Sequence, residues 1–353
     1  MVYLDNAATT APHYFAEDYA WMWGNSNSSH GFGIKARQQL EAAREGAKAC
    51  LGVSSGKVIF GHSASQLLSN FAASGLNSFC DKQEHDSVYS FCYDIHKLNP
   101  NYHTPKTIFH QYVNQPKAIF HQYVNQLSGE VYDIESIGTK VQADDYFFCS
   151  DFTASIGKVR IPKNLDKWCD MVVFSAHKFH APKGVGIMWV SDKLASCLCL
   201  SDDSKNEYDF YHGTTDVPAI MASVQALVAA QCNVEAMEKH STKLLDYLER
   251  KLIENGINHH LVWNEHKTNA INLITLYGIN ADALVQYLST KEIYISPAAS
   301  ACAENHDYRV AMALGLNKEE AEQSVRVSFS LENTLEDINE FVDGVKKFKE
   351  MFV

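Results

Sequence analysis

Short runs of consecutive apolar residues, Tyr146–Ser150, Met171–Ser175 and Gly186–Val190, recur along the chain between segments of helical periodicity. A run of about five residues, rich in β-branched and aromatic side chains, is too short for a buried helix and suits a strand covered on both faces. Lys57–Phe60 reads the same way, with a helix over residues 34–51 before it, a turn at Gly61–Ser65 and a second helix over Gln66–Phe79. Strands alternating with helices predict an α/β fold, with a large domain built on a mostly parallel sheet flanked by helices.

Downstream, Pro218 opens a helical stretch that runs to Glu254 and is closed by Gly256, the punctuation expected of one long helix. Strand Asn269–Leu276, helix Ala281–Leu288, strands Ile293–Ser296 and Ser324–Phe329, and a helix from Leu335 then predict a smaller α+β domain. Thr334 and Asp337 form a capping-box pattern at the start of that last helix. The expected division is residues 1–15 packing with the small domain, 16–235 as the large domain and 236–353 as the small one. The 353 residues are enough for two domains. The octapeptide IFHQYVNQ occurs twice, at Ile108–Gln115 and Ile119–Gln126. Only one copy fits a given strand, so the other is expected in a loop or at an edge.

Acidic residues outnumber basic ones 42 to 30, so no general attraction to nucleic acid or an anionic membrane is expected. The most apolar helical stretch, Ala219–Cys232, is interrupted by Ser223, Gln225 and Gln231, and no membrane span is expected. The opening MVYLDNAATT lacks a basic segment followed by an apolar one, so no secretory signal is expected. The scattered cysteines fit a reduced, cytoplasmic protein. His259–His260 and His177-x-x-His180 lack a third ligand, and no metal site is expected.

Chemistry concentrates where two strands end. Strand Tyr146–Ser150 runs into Asp151, and Lys178 follows strand Met171–Ser175. If the strands are parallel neighbours, an acid and a lysine share the sheet edge at which α/β proteins place ligands. That pair suits pyridoxal phosphate: the lysine condenses with the aldehyde and the carboxylate keeps the pyridine nitrogen protonated. A structural ion pair is the alternative. Ser63, Ala64 and Ser65 lie at a strand-to-helix turn, where backbone N–H groups and the helix dipole favour a phosphate.

Motifs spread over nearly the whole chain carry a resemblance. YLDNAATT at Tyr3–Thr10, GNSNSSHGFG at Gly24–Gly33, EH at Glu84–His85 and VNQLSGEV at Val124–Val131 are followed by SDFTASIGK at Ser150–Lys158, SAHKFHAPKGVG at Ser175–Gly186, HGTTDVP at His212–Pro218 and SVRVSFSLENT at Ser324–Thr334. Their order resembles NifS/IscS-type cysteine desulfurases, fold-type I pyridoxal-phosphate enzymes of the class V aminotransferase group. The resemblance implies Lys178 as the Schiff-base lysine, Asp151 as the pyridinium partner and His85 as the imidazole stacked on the ring. Ser65, Ser175 and His177 match phosphate ligands. Thr214 matches a threonine that reaches the partner subunit's phosphate, which implies a homodimer. Asn6 and Arg326 are implied as substrate-binding, Arg326 through the substrate carboxylate. Cys302, in SPAASACAENH, matches the loop cysteine that attacks the substrate sulfur.

Several positions depart from the family pattern. Ala154 stands in place of a glutamine that bonds the cofactor's phenolic oxygen, and Gln126 in place of an asparagine; Gln126 is expected to reach that oxygen instead. The glycine-rich GGGQE stretch reads DDSKNEYDF, Tyr211 replaces the arginine of RSGT, Ser63 replaces the glycine of SGAT, and AASAC replaces SGSAC. The implied reaction is conversion of L-cysteine to L-alanine, with a persulfide left on Cys302 for a sulfur-acceptor protein. The alternatives are a class V aminotransferase or lyase acting on another small amino acid without Cys302, and a degenerate paralogue that binds cofactor or a partner without turnover.

Overall fold

The computed structural model describes residues 1–94, 117–202, 207–299 and 308–352. The chain divides into two compact units. One, here the sheet unit, comprises Ala11–Tyr123 and Tyr132–Cys232; the other, the C-terminal unit, comprises Met1–Thr10, Val124–Val131 and Asn233–Val353. The first strand of the chain, β1 (Val2–Tyr3), belongs to the C-terminal unit.

In the sheet unit, β2 (Lys57–Gly61), β3 (Asn77–Cys80), β4 (Tyr93–Asp94), β5 (Lys117–Phe120), β6 (Phe147–Asp151), β7 (Met171–Ser175) and β8 (Gly186–Val190) form one sheet in the order β2-β8-β7-β6-β5-β3-β4. β8 runs antiparallel to both its neighbours, and every other pairing is parallel. The carboxyl ends of β2, β3, β5, β6 and β7 therefore lie along one edge. Every residue of β5 to β8 is buried, as their unbroken apolar runs require when helices cover both faces. The helices are α1 (Gly31–Leu51), α2 (Ala64–Ala72), α3 (Asp86–Tyr89), α4 (Ile134–Ala143), α5 (Asp192–Cys197) and α6 (Val217–Cys232). α1 buries Ala36, Leu40, Ala43, Ala47 and Leu51 along one stripe and stops at Gly52, which takes the left-handed φ of 66° of a C-terminal cap.

The helix expected over Gln66–Phe79 is shorter. α2 ends at Ala72, Gly75 turns the chain at φ 79°, and Asn77–Cys80 becomes β3, paired with β4 on one side and β5 on the other. Backbone pairing on two edges outweighs the weak helical periodicity of these residues. The second IFHQYVNQ copy enters β5 through Ile119 and Phe120 and then leaves the sheet; the first copy lies outside the described residues.

A buried ion pair braces β2. Arg44 of α1 donates to Glu207 through Nη1 and Nη2 at 2.9 and 2.8 Å. Arg44 Nη1 also donates to the Val58 carbonyl, while Glu207 Oε2 accepts the Phe60 N–H at 2.8 Å. The guanidinium lies over the rings of Phe60 and Tyr208, with its carbon 5.3 and 5.0 Å from their centroids.

In the C-terminal unit, β9 (His259–Leu261), β10 (Ile271–Leu276), β12 (Ser296–Pro297) and β13 (Ser324–Ser328) form an antiparallel sheet in the order β12-β13-β10-β9, and β1 pairs in parallel with β11 (Ile293–Tyr294). Its helices are α7 (Val234–Glu254), α8 (Ala281–Ser289), α9 (Arg309–Ala313), α10 (Lys318–Glu322) and α11 (Leu335–Phe352). The single helix expected over 218–254 is broken at Asn233, whose φ of −97° and ψ of 2° depart from helical values. The strand expected over Ile293–Ser296 is likewise split at Ile295 into β11 and β12, which pair with different strands. The cap of α11 forms as its sequence predicts: Thr334 N–H donates to Asp337 Oδ2 at 3.0 Å and Asp337 N–H to Thr334 Oγ1 at 3.2 Å. The core packs Leu244, Leu248 and Leu252 of α7 with Val325, Val327, Phe341 and Val345.

Arg44→Ala leaves Glu207 as an unpaired buried charge, and stability should fall by about 3–5 kcal/mol. Urea unfolding measures this; a loss under about 1 kcal/mol would mean the carboxylate is solvated rather than paired.

Candidate active site

The carboxyl edge of the sheet collects the candidate site residues of the sheet unit. β6 and β7 are parallel neighbours, with Asp151 in register with Val173. Asp151 therefore ends one strand, and Ser175 ends the next, immediately before the Ala176–Lys178 turn. Asp151 is buried, and its Oδ1 accepts the Thr153 N–H at 2.8 Å, which fixes the carboxylate. The lysine turn is held from below: the buried Lys158 reaches the Lys178 carbonyl with Nζ at 3.3 Å. It is held from the side too, since Ala176 N–H donates to Val185 O at 3.0 Å.

Next to this turn is a cradle at the start of α2. Ser63 caps the helix, its Oγ accepting the Gln66 N–H at 3.0 Å. Ser175 Oγ accepts the Ala64 N–H at 2.9 Å, so the end of β7 is bonded to the beginning of α2. The N–H of Ser65 has no hydrogen-bond partner among the described residues, and the Ser65 side chain is exposed. An orphan amide and a hydroxyl at a helix N-terminus are suited to an anion. β8 crowds the same spot with Gly186: a Cβ there would sit 2.3 Å from the Ser63 carbonyl carbon and 2.7 Å from Ala64 N. Only glycine lets the two backbones come this close.

His85, past the end of β3, caps α3. Its Nδ1 accepts the Ser87 N–H at 3.2 Å and lies 2.8 Å from Ser87 Oγ, which sets the plane of the ring. Glu84 beside it is buried and accepts the Gln122 N–H at 2.7 Å. His177 has its pKa lowered to about 4, first by burial and then by the charges of Lys178 and Lys183, so the ring is neutral at physiological pH.

One edge thus brings together Ser63, Ala64, Ser65, His85, Asp151, Ser175, His177 and Lys178. Thr214 lies in an exposed loop of the same unit, after Gly213. Three expected residues belong to the C-terminal unit. Gln126 has its side-chain Oε1 buried with no hydrogen-bond partner among the described residues. Asn6 is buried, and its amide donates to Ser328 O at 3.1 Å and Asn333 Oδ1 at 3.2 Å, a tie between the N-terminal segment and β13. Arg326 donates from Nη2 to Asp5 Oδ1 at 2.7 Å and from Nη1 to Gln126 O at 3.2 Å, so the guanidinium already has a carboxylate partner. Cys302 lies outside the described residues. Sequence reasoning gave no role to Lys158 or Glu207, both of which end up buried; Glu207 lies in the polar run DDSKNEYDF, which gives no local signal of burial.

The geometry defines an α/β enzyme with an acid and a lysine at the ends of adjacent parallel strands, beside an anion cradle. A family model described as aminotransferase class-V matches residues 2–341, and the chain belongs to that family. It is 28% identical over 380 residues to the cysteine desulfurase IscS of Buchnera aphidicola subsp. Schizaphis graminum, covering 98% of this chain and 92% of that protein. It is 26% identical over 380 residues to the cysteine desulfurase IscS of Dictyoglomus turgidum, covering 99% and 94% respectively. The solved structure of a NifS-like protein from Rickettsia africae superposes with a TM-score of 0.83 at 22% identity, covering 99% of this chain and 100% of that one. At that identity the superposition speaks for the fold.

His177 gives a pH test of the apoprotein. Because its folded pKa lies near 4 and its ordinary value is 6.5, only the unfolded chain binds this proton in between. Stability should therefore fall as pH drops from about 6.5 toward 4. His177→Gln should flatten that part of the profile of urea midpoints, and an unchanged slope would show that the ring is not buried neutral. Gly186→Ala should cost about 1–3 kcal/mol through the clash with Ser63, read by the same titration at neutral pH.

Proposed function

We propose that this enzyme is a pyridoxal-phosphate-dependent cysteine desulfurase that converts L-cysteine to L-alanine and retains the sulfur as a persulfide on Cys302. The observation that carries the reading is the placement of Lys178 and Asp151 at the ends of β7 and β6, beside the Ser63–Ser65 cradle. The curated relatives named as cysteine desulfurases support the choice of reaction.

The residues fit the cofactor. Ser65 and the first turn of α2 would hold the phosphate, Ser175 anchors that turn, and His177, neutral at physiological pH, would add a ring N–H donor to the phosphate. Asp151, oriented by Thr153, would hold a proton on the pyridine nitrogen. His85, fixed by Ser87, would lie against the ring. When bound, the cofactor supplies an electron sink conjugated to the substrate's α-carbon. Lys178 Nζ takes the proton from that carbon and returns it. The Cys302 thiolate attacks the substrate Sγ; the Sγ–Cβ bond breaks, its electron pair and a proton go to Cβ, and alanine leaves. No outside oxidant or reductant enters this step. Among the described cysteines, Cys149 and Cys169 are buried, and burial holds both thiols well above the ordinary range, so neither supplies a thiolate. The reading includes a homodimer, with Thr214 serving the neighbouring subunit's phosphate, and a sulfur-acceptor protein in the cytoplasm.

Purified protein should be yellow and should yield alanine from L-cysteine, with sulfide released when a thiol reductant is present. Lys178→Ala should lower kcat by ~10²–10⁴-fold. Cys302→Ser should lose alanine and sulfide while keeping the yellow colour. Full activity of Cys302→Ser toward another amino acid would replace the desulfurase with an aminotransferase or lyase. Protein that stays colourless with added pyridoxal phosphate would end the reading.

A further inference from the structure

We propose that Tyr211 and His62 are positioning residues for the cofactor phosphate, their hydrogen bond clamping the loop that leads to Gly213–Thr214 onto the turn that forms the cradle. The inference rests on the pyridoxal-phosphate reading above. Tyr211 Oη lies 2.6 Å from His62 Nε2, and the two rings meet edge-on at 5.4 Å between centroids and 84° between planes. His62 directly precedes Ser63, the residue whose hydroxyl caps α2. A restraint on the imidazole is therefore a restraint on the entry to the cradle.

The loop before Tyr211 is fastened to the same strand–turn–helix element at two further points. Glu207 Oε2 accepts the Phe60 N–H of β2 at 2.8 Å, and Asn70 Nδ2 of α2 donates to Phe210 O at 2.9 Å. Between these anchors, Glu207, Tyr208 and Asp209 take left-handed φ values of 38, 60 and 64°. Three consecutive non-glycine residues in that region persist only where surrounding contacts over-determine the backbone. After Tyr211, Gly213 has φ 154°, and a Cβ on it would lie 3.2 Å from Tyr211 Oη. The phenol is thus wedged between the cradle turn and the chain leading to Thr214.

Tyr211 stands at a departure from the family pattern, and His62 stands beside another, Ser63. Tyr211 replaces the arginine of RSGT, and His62 occupies the first position of SGAT. Two residues 149 positions apart meet in one hydrogen bond, and that bond ties the loop to the turn.

The test compares pyridoxal phosphate with pyridoxal, which has the same aldehyde and no phosphate. Each is titrated into apoprotein and followed by its absorbance. Tyr211→Phe removes only the hydroxyl and should weaken pyridoxal phosphate by about three- to tenfold, the range of one hydrogen bond, with pyridoxal unchanged. His62→Ala should do the same, and the double variant should be no weaker than the weaker single one. His62→Gln, whose amide still meets the phenol, should recover most of the affinity. Equal weakening of both aldehydes, additive effects in the double variant, or no change in any variant would overturn the clamp while leaving the cofactor reading intact. A wild-type protein that takes up neither aldehyde would overturn both.

Discussion

The hydrogen bond from Ala64 N–H to Ser175 Oγ is the contact on which the candidate site depends, because it joins the element that leads into Lys178 to the one that begins the cradle. Ser175 ends β7 and leads into the Lys178 turn; Ala64 begins α2 and with it the anion cradle. The bond exists because β8 runs antiparallel between β2 and β7, setting Gly61 and Ser175 both opposite Gly186. A side chain at 186 would push the cradle off the strand. One missing Cβ and one hydroxyl therefore set the spacing between the Lys178 turn and the start of α2.

Charge is arranged around that frame with little redundancy. Lys178 has a buried acid at the end of the neighbouring strand and, on its own turn, an imidazole kept neutral by burial and by the lysines beside it. The carbonyl of the turn is bonded to a second buried lysine, Lys158. Further along β2, Arg44 and Glu207 meet as a buried pair bonded to the strand backbone at Val58 and Phe60. Such a pair adds little net stability over an apolar replacement, but it fixes geometry, since neither charge tolerates loss of the other. Its place is the root of the strained loop that ends at Tyr211.

The C-terminal unit spends its polar residues on holding its own strands together. Asn6, Asn333 and Asp5 knit the N-terminal segment to β13 and α11, and Arg326 is paired with Asp5. The resemblance treats Asn6 and Arg326 as substrate groups, while in the structure both are ties within the unit.

Local sequence determined the strands β6, β7 and β8 to within a residue, because fully buried strands must be apolar at every position. It also determined the α11 cap, whose two hydrogen bonds lie within four residues, and it placed Asp151 and Lys178 at strand ends, because strand ends are set by where the apolar runs stop; that the two strands are parallel neighbours came only from the sheet. It placed the end of α2 and the break at Asn233 wrongly, because Asn77–Cys80 is a strand only through its neighbours β4 and β5, and helical periodicity continues across Asn233 without marking the turn. Nothing local announces that Val124–Val131 belongs with the C-terminal unit, that Glu207 is buried against Arg44 163 residues away, or that Tyr211 reaches His62 across 149 positions. Those contacts join residues remote in sequence, whose meeting depends on the order of strands in the sheet, and strand order is settled by packing the whole chain rather than by any segment of it.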